Sequence, residues 1–600
     1  MINSSKLDEG KMKQVRCFSI RALQEYRFEL DRDERISIRL LRGTAEIEGL
    51  ELSSNQTYQL GDELRSSIFS WHGCDLEVIG RASTDYVAEE STIPTYFALH
   101  LALEKLRLSS VQPRHFLPIV QPPTRLKNSS RSLNFSTSSN QISYQNENNQ
   151  NSYQNENNQN SYQNDIDSRV EDLNEERPGP RVMVIGTVSS GKSTLIKTLA
   201  NWAVRSGRTK LEGPGLLLVN LDPNNGGFTI PGTFSIAPLN VSIPTTTSVL
   251  PLGSTPTTGP PVIINQPMTN QETSIHNSNT SSSSSSSSLK KKNQQVGSTV
   301  EKSTNDQVPN PSLFAPALNA LTFYYGHSQL GRNLDQASAL IKRMGTSLEA
   351  RIENSCETAL WRGGVLVDCP AEFSDKGKSH LVKETVRAFG INVLVVLGSE
   401  RLYLEIKKLM NTNKTVEVIR VPKNGGATDL DLNYRKRLES NQIRSYFYGG
   451  PSLSQGQLSP FTIVVKFDDL SIFRIGGDEA QVPSSALPLG ATSSLKPTSL
   501  IRIDLSVNEN SPNTTAATTA ANKIQLNNLI NLILCIPQSD WDGVDVDSEA
   551  ADQASTGPSL GFVHLSGIDL KNKKFTILSP LPGRLPRRVA IAGSLEWIDG

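Results

Sequence analysis

Residues 186–193 read Gly-Thr-Val-Ser-Ser-Gly-Lys-Ser, which is the phosphate-binding loop pattern G-x-x-x-x-G-K-[ST]. An apolar run at 182–185 precedes this loop, and a helical pattern at 194–203 follows it. Between a strand and a helix, the glycines let the backbone curl around phosphates, Lys192 supplies a positive charge and Ser193 offers a hydroxyl to Mg²⁺. A glycine-rich turn with a chance lysine is the competing interpretation, and it does not explain why all these features coincide. The sequence predicts a nucleoside triphosphate site.

Composition limits the remaining possibilities. A chain of 600 residues predicts several domains, and its 60 basic and 60 acidic residues cancel, so any RNA contact would need a local patch. No apolar run approaches the roughly 18 residues that span a bilayer, and the first residues lack the apolar core of a secretory signal. Five cysteines without a C-x-x-C pair argue against a disulfide framework and a zinc site, and they fit a reducing compartment.

The first 112 residues have the pattern of a small β-sandwich or barrel. Short segments alternate polar with apolar residues or are rich in strand formers, and glycines separate several of them. These segments are 27–30, 36–40, 44–48, 68–73 and 76–80. A helix over about 95–106 is predicted to lead out of this N-terminal β-sandwich domain.

Two low-complexity segments are predicted to be disordered. The first is an Asn/Gln-rich linker, 113–177, in which the nonapeptide S-Y-Q-N-E-N-N-Q-N occurs twice from Ser143 and a third copy begins at Ser161. A β-solenoid is the alternative, but so few copies could not stack stably. The second is a Ser-rich insertion, 245–311, with eight consecutive serines followed by three lysines. A short lysine run in such a loop is typical of a solvated segment.

Two further domains follow from the strand patterns. Residues 178–450 hold continuous aliphatic runs separated by helical stretches, which predicts an α/β domain with a parallel sheet covered on both faces. The runs are 182–185, 216–221, 365–368, 393–397 and 416–421. Residues 451–600 return to strand patterns and are predicted to form a β-rich C-terminal domain. Its clearest strands are 461–467, 500–503 and 574–578.

Two carboxylates are candidates for chemistry beside the loop. Asp222 follows the second aliphatic run and Asp368 ends the third. At the carboxyl edge of a parallel sheet, Asp222 could bind Mg²⁺ through water or accept a proton from an attacking hydroxyl, with Asp368 as its rival. The simpler alternative is that Asp222 only begins a turn, since the residues that follow it are good turn formers.

Several stretches outside the loop resemble one known family. They are 43–47 (G-T-A-E-I), 70–74 (S-W-H-G-C), 230–233 (I-P-G-T), 323–327 (F-Y-Y-G-H), 399–403 (S-E-R-L-Y), 443–449 (I-R-S-Y-F-Y-G) and 578–586 (L-S-P-L-P-G-R-L-P). Together they resemble the Clp family of eukaryotic pre-mRNA cleavage and polyadenylation factors, which is related to polynucleotide 5′-hydroxyl kinases. The resemblance covers all three domains and skips both low-complexity segments, whose composition suggests a fungal member.

The resemblance implies an N-terminal β-sandwich, a central P-loop ATP-binding domain and a C-terminal α/β domain. It also implies a nucleotide site to which the N-terminal domain contributes Glu25 and Arg65; the family usually has lysine at the second position. The loop residues that carry over are Ser189, Ser190, Gly191, Lys192, Ser193 and Thr194, with Ser193 on the metal. ATP and Mg²⁺ are the expected cofactors.

The same resemblance casts doubt on catalysis. Active kinases of the family resemble D-x-x-Q after the second strand, whereas here Asn225 stands three residues after Asp222. They also carry a T-x-G-W clasp after the third strand, whereas residues 369–372 here read C-P-A-E. Arg401 matches the lid arginine, and Lys407 and Lys408 are weaker lid candidates because lysine cannot make a bidentate phosphate contact. Phosphoryl transfer depends on positioning and charge stabilisation, so loss of the clasp should be costly.

We therefore expect an ATP-binding, non-catalytic subunit of the nuclear pre-mRNA 3′-end cleavage and polyadenylation complex. Its expected partners are a scaffold and other subunits of that complex, with direct RNA contact left open and no membrane association. The alternatives are an active polynucleotide 5′-hydroxyl kinase with Asp222 as its base, and a switch that hydrolyses ATP slowly.

Overall fold

The computed structural model describes most of the chain outside the low-complexity segments. The described residues are 14–61, 63–110, 178–206, 216–239, 242–243, 320–354, 362–449, 459–476, 500–503, 529–546 and 548–599. The predicted linker 113–177 and insertion 245–311 lie outside them, so their disorder and the domain boundaries stay predictions.

The N-terminal domain consists of two antiparallel sheets that face each other across one apolar core. Its strands are β1 (Val15–Ile20), β2 (Glu25–Glu29), β3 (Ile36–Gly43), β4 (Glu46–Ile47), β5 (Leu50–Glu51), β6 (Thr57–Leu60), β7 (Arg65–Phe69), β8 (Cys74–Gly80) and β9 (Thr84–Ala88). They form sheets of order β1-β8-β3-β6 and β5-β4-β7-β2-β9. In β3 the inward positions Ile36, Ile38 and Leu40 are buried while their neighbours are not, as the sequence alternation predicts.

The central domain is built on a seven-stranded sheet of order β13-β12-β11-β14-β10-β15-β16. Its strands are β10 (Arg181–Gly186), β11 (Leu216–Asn220), β12 (Thr233–Leu239), β13 (Leu321–Tyr324), β14 (Val365–Asp368), β15 (Val393–Leu397) and β16 (Glu417–Val421). Five strands, in the sheet order β11-β14-β10-β15-β16, pair in parallel, which confirms the predicted parallel arrangement. All five correspond to the aliphatic runs.

Helices cover both faces of this sheet. They are α1 (Ile93–Ser109), α2 (Lys192–Arg205), α3 (Leu334–Asn354), α4 (Ser379–Ala388) and α5 (Glu400–Met410). The next helix, α6 (Leu432–Tyr448), packs with the C-terminal domain. Alternate strand residues supply the two cores: Val182 and Val184 pack with α1 and α2, whereas Met183 and Ile185 pack with α3, α4 and α5. A strand buried on both faces has no polar alternation, which is why these segments read as continuous aliphatic runs.

Two antiparallel strands at one edge of the sheet were not predicted. β12 pairs antiparallel with β11 and with β13, so the sheet is mixed and not wholly parallel. Pro238 in β12 argues against a strand in the sequence because proline cannot donate a ladder hydrogen bond. Pairing with β13 ends at Ile236, so Pro238 pairs with Leu217 of β11 on one side only.

The C-terminal domain is a second seven-stranded sheet, of order β17-β22-β21-β20-β23-β18-β19, with one short helix. Its elements are β17 (Phe461–Lys466), β18 (Ser471–Ile475), β19 (Leu500–Arg502), β20 (Leu532–Pro537), α7 (Glu549–Thr556), β21 (Ser559–Asp569), β22 (Lys574–Ser579) and β23 (Val589–Glu596). One face packs against α6 and α7. The predicted β-rich α/β character of this domain is confirmed. In the described ranges, no helix is both long and apolar enough to cross a membrane.

Candidate nucleotide-binding site

The loop between β10 and α2 has the backbone of a phosphate-binding loop. β10 ends at Gly186 and α2 begins at Lys192. Gly191 has φ +89° and Ser189 has φ +53°, so the chain passes through the left-handed region twice. A Cβ on Gly186 would lie 2.7 Å from the Ser190 hydroxyl oxygen and 3.2 Å from the Leu397 carbonyl oxygen, so a larger residue would force neighbouring groups to shift. The loop curls back on itself in the way that the motif requires.

Two side chains of the motif make hydrogen bonds in the domain, one within the loop and one to the end of a neighbouring strand. Lys192 is buried, and its Nζ donates to the Thr187 carbonyl at 3.1 Å. The Ser193 hydroxyl donates to Asp368 Oδ2 at 2.7 Å. Asp368 reaches Ser193 because β14, which it ends, pairs directly with β10.

This arrangement fits a nucleoside triphosphate with Mg²⁺. The buried Ser190 Oγ and Asp368 Oδ1 have no hydrogen-bond partner among the described residues. Buried polar atoms without partners are uncommon in native proteins and are often completed by a ligand, an ion or water. Lys192 would hold the outer phosphates, and Ser193 with Asp368 would hold the metal ion.

The loop forms one wall of a cavity of about 310 Å³. Residues from the N-terminal domain, the loop, the turn after β11, the segment after β14, the loop after β16 and α6 line this cavity. They are Glu48, Leu64, Arg65, Val188, Ser189, Ser190, Gly191, Lys192, Ser193, Thr194, Lys197, Asp222, Asn224, Asn225, Ala371, Gly426, Ala427, Thr428, Leu430, Tyr434, Arg435 and Leu438. Seven of the eight residues predicted for the nucleotide site are therefore together; the exception is Glu25.

Arg65 brings the N-terminal domain to the cavity. It is the first residue of β7, and its Nη1 donates to the Thr428 hydroxyl at 3.2 Å. Its guanidinium lies 4.9 Å from the Tyr434 ring centroid and forms an ion pair with Glu29 at 3.5 Å. The charge predicted at this position is thus fixed between two domains at the cavity wall.

Glu25 lies behind the wall and does not line the cavity. It is fully buried and forms an ion pair with Arg27, whose Nε donates to Glu25 Oε1 at 2.6 Å. The hydroxyls of Ser67 and Ser91 donate to its other oxygen, each at 3.2 Å. Arg27 packs against Gly426, which does line the cavity. A nucleotide role for Glu25 stays a prediction, and the structure connects Glu25 to the site through Arg27.

Asp222 lines the cavity beside the loop. Its Oδ1 accepts a hydrogen bond from the Asn224 backbone at 3.1 Å. Burial, followed by the negative charges of Asp368 and Glu372, raises the pKa of Asp222 to about 7, while Lys192 acts in the opposite direction. Burial also raises the pKa of Asp368, against the hydrogen bond from Ser193. Both rival carboxylates therefore lie at the site, but only Asp368 bonds to the serine of the motif.

The segment after β14 contributes one small side chain to the cavity lining. Cys369 is fully buried in the sheet core, and residues Ala371–Ser374 form a single 3₁₀ turn. Ala371 is the residue of this turn that lines the cavity. A methyl group cannot make hydrogen bonds or stack, so this wall offers no equivalent of a threonine or tryptophan clasp.

The predicted lid residues lie outside the cavity lining. The Arg401 side chain on α5 is 72% exposed, and its Nε donates to Glu405 at 3.0 Å. Lys407 donates to the Tyr403 hydroxyl at 3.2 Å, and Lys408 is exposed. None of the three lines the cavity in this structure.

Sequence reasoning missed the wall formed by residues 426–430 and by α6. Asp431 caps α6, accepting from the Tyr434 backbone at 2.6 Å, and Tyr434, Arg435 and Leu438 line the cavity. The available signal was the position of this segment directly after β16, because the carboxyl ends of parallel strands meet at one edge of the sheet. Aspartate before a helical pattern was a second signal.

Three family models match successive parts of the chain. The N-terminal beta-sandwich domain of polyadenylation factor matches residues 19–110. The P-loop domain of mRNA cleavage and polyadenylation factor CLP1 matches 186–252 and 299–449. Pre-mRNA cleavage complex II protein Clp1 matches 458–599.

Similar proteins are matched over nearly their full length. The mRNA cleavage and polyadenylation factor CLP1 of Laccaria bicolor is 29% identical over 98% of this chain and 99% of the relative. The protein of the same name from Mycosarcoma maydis is 28% identical over 96% and 97%. The CLP1 homolog of Arabidopsis thaliana is 26% identical over 98% and 95%.

Solved structures show the same fold. A wild-type Clp1p–Pcf11p complex contains a chain that matches with a TM-score of 0.62 at 19% identity, covering 98% of this chain and 99% of that one. A second structure, described as an extended interface between Pcf11p and Clp1p and a basis for ATP loss in a point mutant, matches with a TM-score of 0.63. At this identity the likeness establishes the architecture.

Proposed function

Since this chain belongs to the Clp1 family of mRNA cleavage and polyadenylation factors, we propose that it is an ATP-binding subunit of the complex that cleaves pre-mRNA before polyadenylation. In this proposal ATP is a structural ligand that the protein retains without turnover. Glu25, Arg65 and residues 189–194 form its binding site, with Ser193 on the Mg²⁺ ion.

One observation carries the proposal: the residues proposed to bind phosphates and metal lie together, whereas the position of the clasp holds no residue that could act as one. Ser193 bonds to Asp368 at 2.7 Å and Lys192 lies in the same cavity, which supports a role for these residues in holding the phosphates and the metal ion. In the same cavity lining, Ala371 stands for the clasp segment and offers only a methyl group. A site that binds phosphates but cannot position them for in-line attack favours retention over transfer.

The surroundings of the cavity explain how ATP would stabilise the protein. Arg65 from the N-terminal domain and Tyr434 from α6 meet at its wall. A ligand that binds only the assembled state adds its binding free energy to the stability of that state. Bound ATP would therefore fix the N-terminal domain against the central domain, together with any partner surface that depends on this arrangement.

The relatives support a proposal for the wider role. Proteins similar to this chain are named for mRNA cleavage and polyadenylation, and Clp1p has been solved with Pcf11p. We propose that this chain acts in the nucleus and that a scaffold subunit of the cleavage factor recognises its ATP-bound form.

The second candidate function is an active RNA 5′-hydroxyl kinase. Asp222 favours it, because a carboxylate with a pKa of about 7 at the cavity wall is suited to accept a proton from an attacking hydroxyl. The missing clasp opposes it, because Ala371 is the residue that the segment after β14 contributes to the cavity lining among the described residues.

Nucleotide retention tests the proposal directly. The double substitution Lys192→Ala with Ser193→Ala should abolish the ATP that co-purifies with the protein, because the outer phosphates and the metal lose their ligands. Lys414→Ala is the matched control, since it removes an exposed lysine outside the cavity. ATP would be quantified after denaturation of each purified protein. Stoichiometric ATP in the double mutant would show that the site is assigned wrongly.

Turnover is tested separately. The purified protein, incubated with labelled ATP and an oligoribonucleotide bearing a 5′-hydroxyl, should leave the RNA unlabelled. Labelling that disappears in Asp222→Asn would establish the kinase instead. In a pull-down with the scaffold subunit, Lys192→Ala should weaken capture, whereas Asp222→Asn should change it little.

A further inference from the structure

A chain of hydrogen bonds connects α6 to the metal side of the nucleotide cavity. Gln442 on α6 donates from Nε2 to the Asn225 carbonyl at 3.1 Å. The Asn225 side chain in turn donates from Nδ2 to the Ser193 hydroxyl oxygen at 3.5 Å, which is a long hydrogen bond. Asn225 and Ser193 line the cavity, whereas Gln442 is not one of the lining residues. Gln442 therefore reaches the site through Asn225.

The Asn225 amide helps to orient the Ser193 hydroxyl. A serine hydroxyl has one proton and two lone pairs. The Ser193 proton goes to Asp368 Oδ2 at 2.7 Å, and the Asn225 amide occupies one lone pair. The remaining lone pair is the one that a Mg²⁺ ion would take. Hydrogen bonds to a metal-ligating atom orient that atom and tune its affinity for the ion.

The turn that carries Asn225 is built on two consecutive glycines. The Asn225 backbone N–H donates to the Asp222 carbonyl at 3.2 Å, and Gly227 donates to the Asn225 carbonyl at 2.6 Å. Gly226 and Gly227 have φ of +59° and +57°, in the left-handed region. Glycine leaves the backbone more conformational freedom than any other residue does. The hydrogen bond from Gln442 ties this turn to a helix.

Gln442 is a polar residue in apolar surroundings. It is 2% exposed, and Ile443 and Phe447 of the same helix belong to the apolar core shared with the C-terminal domain. Its Oε1 is buried and accepts no hydrogen bond from the residues that the structure describes. A buried acceptor without a donor costs free energy, so the amide is explained by the hydrogen bond that it donates to Asn225. Because Phe447 packs in the core, α6 offers this donor from a fixed position.

We infer that Gln442 is a positioning residue for Mg²⁺-dependent nucleotide binding. By holding the Asn225 carbonyl, it keeps the Asn225 amide beside Ser193, and the free lone pair of Ser193 then stays directed at the metal position. The contact between Asn225 and Ser193 is already long, so a small shift of the turn away from Ser193 would break it.

This inference rests on the proposed function, and the experiment separates the two. Full-length protein freed of nucleotide would be titrated with ATP in excess Mg²⁺ and in excess EDTA, in competition against a fluorescent ATP analogue. Gln442→Met keeps the length of the side chain and removes the donor. ATP affinity in Mg²⁺ should fall about 3- to 10-fold, less than the roughly 10- to 100-fold typical when a direct partner of a metal ligand is lost. ATP affinity in EDTA should change less than about twofold, because no ion is then bound at Ser193.

A second background tests whether Gln442 acts through Asn225. Asn225→Ala removes the amide and keeps the backbone carbonyl to which Gln442 donates. Adding Gln442→Met to Asn225→Ala should therefore lower ATP affinity in Mg²⁺ by less than about a further twofold. Asn441→Ala, which removes an exposed amide from the same helix, should bind ATP as the unmodified protein does. Gln442→Leu also lacks the donor and takes the place of Gln442→Met if that variant is unstable.

Unchanged ATP affinity of Gln442→Met in Mg²⁺ would overturn the inference. Equal losses of affinity in Mg²⁺ and in EDTA would also overturn it, because they would leave Gln442 a purely structural role. A full loss on adding Gln442→Met to Asn225→Ala would show that Gln442 does not act through the Asn225 amide, which contradicts the inference as well. If Lys192→Ala retained full ATP affinity, the proposed nucleotide site itself would fail, whatever the result at Gln442.

Discussion

The central domain meets its two neighbours through different chemistry. Toward the β-sandwich, which has its own separate core, the contact is largely ionic and is called here the N-terminal seam. It comprises Lys197 with Glu48 at 2.8 Å, Arg205 with Glu46 at 3.3 Å and with Glu51 at 2.6 Å, and Arg437 with Glu63 at 2.7 Å. Apolar contacts across this seam come from α1, which packs on α2, and from Phe69 and Trp71 of the β-sandwich, which join the same cluster.

Toward the C-terminal domain the contact is an apolar core, called here the C-terminal seam. Residues of both domains share one cluster that includes Tyr324, Phe447, Phe562 and Trp597. The rings of Phe447 and Trp597 stack 5.6 Å apart, and the Tyr324 hydroxyl donates to the Ile533 carbonyl at 2.9 Å. Such an interface resembles the inside of a domain.

This difference means that the C-terminal seam is stable without a ligand, whereas a ligand can strengthen the N-terminal seam. Apolar burial stabilises the C-terminal seam whatever occupies the cavity. Ion pairs contribute less, because the charges lose hydration when they pair. The N-terminal seam borders the nucleotide cavity, since Glu48 and Lys197 line it. Bound nucleotide should therefore stabilise the N-terminal seam more than the C-terminal one.

The largest expected effect is at the C-terminal seam. Phe447→Ala should lower the free energy of unfolding by about 3–5 kcal/mol, since it removes a fully buried ring from the shared core. Denaturant unfolding would measure it, with Ile598→Ala as the control because Ile598 is 75% exposed. A loss below about 1 kcal/mol would mean that the two domains do not share a core.

A smaller effect is expected at the N-terminal seam. Arg205→Ala should lower the free energy of unfolding by about 1–2 kcal/mol. The Arg205 guanidinium also donates to the Gly49 carbonyl at 2.8 Å, and its removal leaves the buried Glu46 without its ion-pair partner. Saturating ATP should raise the melting temperature of Arg205→Ala more than that of the unmodified protein and so offset part of the loss. The melting temperature of Phe447→Ala should rise with ATP only as much as that of the unmodified protein. If ATP raised the melting temperatures of Arg205→Ala and Phe447→Ala equally, nucleotide would not stabilise the N-terminal seam more than the C-terminal seam.

Acid should weaken the contact between α1 and α2. Burial, followed by the charge of Arg107, lowers the pKa of His100 to about 4, and the ring packs 5.6 Å from Trp202. The unfolded chain takes up the proton first, so stability that is present above about pH 6.5 is lost as pH falls toward 4.

The melting temperature of His100→Gln should therefore fall less between pH 7 and pH 5 than that of the unmodified protein. His380→Gln, at an exposed position, is the control and should follow the unmodified protein. Parallel pH profiles for the unmodified protein and His100→Gln would contradict the assignment.

The smallest effect is expected at the predicted lid arginine. Arg401→Ala should change stability by less than about 0.5 kcal/mol, because exposed i,i+4 ion pairs contribute little. ATP affinity, measured by calorimetry, should also stay within about twofold. A tenfold loss of ATP affinity would show that α5 closes over the nucleotide in solution.

The sequence by itself determined the parts that depend on local pattern. The five parallel strands were predictable because a strand buried on both faces must be continuously aliphatic, and the loop because its glycines, Lys192 and Ser193 are consecutive in the chain. The β-sandwich and the β-rich C-terminal domain followed from strand patterns and family resemblance. The strand β12 escaped prediction because Pro238 is tolerated only through a one-sided pairing, which the sequence does not reveal.

The tertiary structure alone decided which distant groups share the site. Ser193 bonds to Asp368, 175 residues away, because the order of the sheet places β14 between β10 and β11. Glu25 lies behind the cavity wall because Arg27, two residues along the same face of β2, neutralises it there. Arg435 faces the cavity because α6 follows the last parallel strand and crosses to the C-terminal core. Each of these contacts depends on the order and spacing of packed elements, and no local sequence pattern encodes that order.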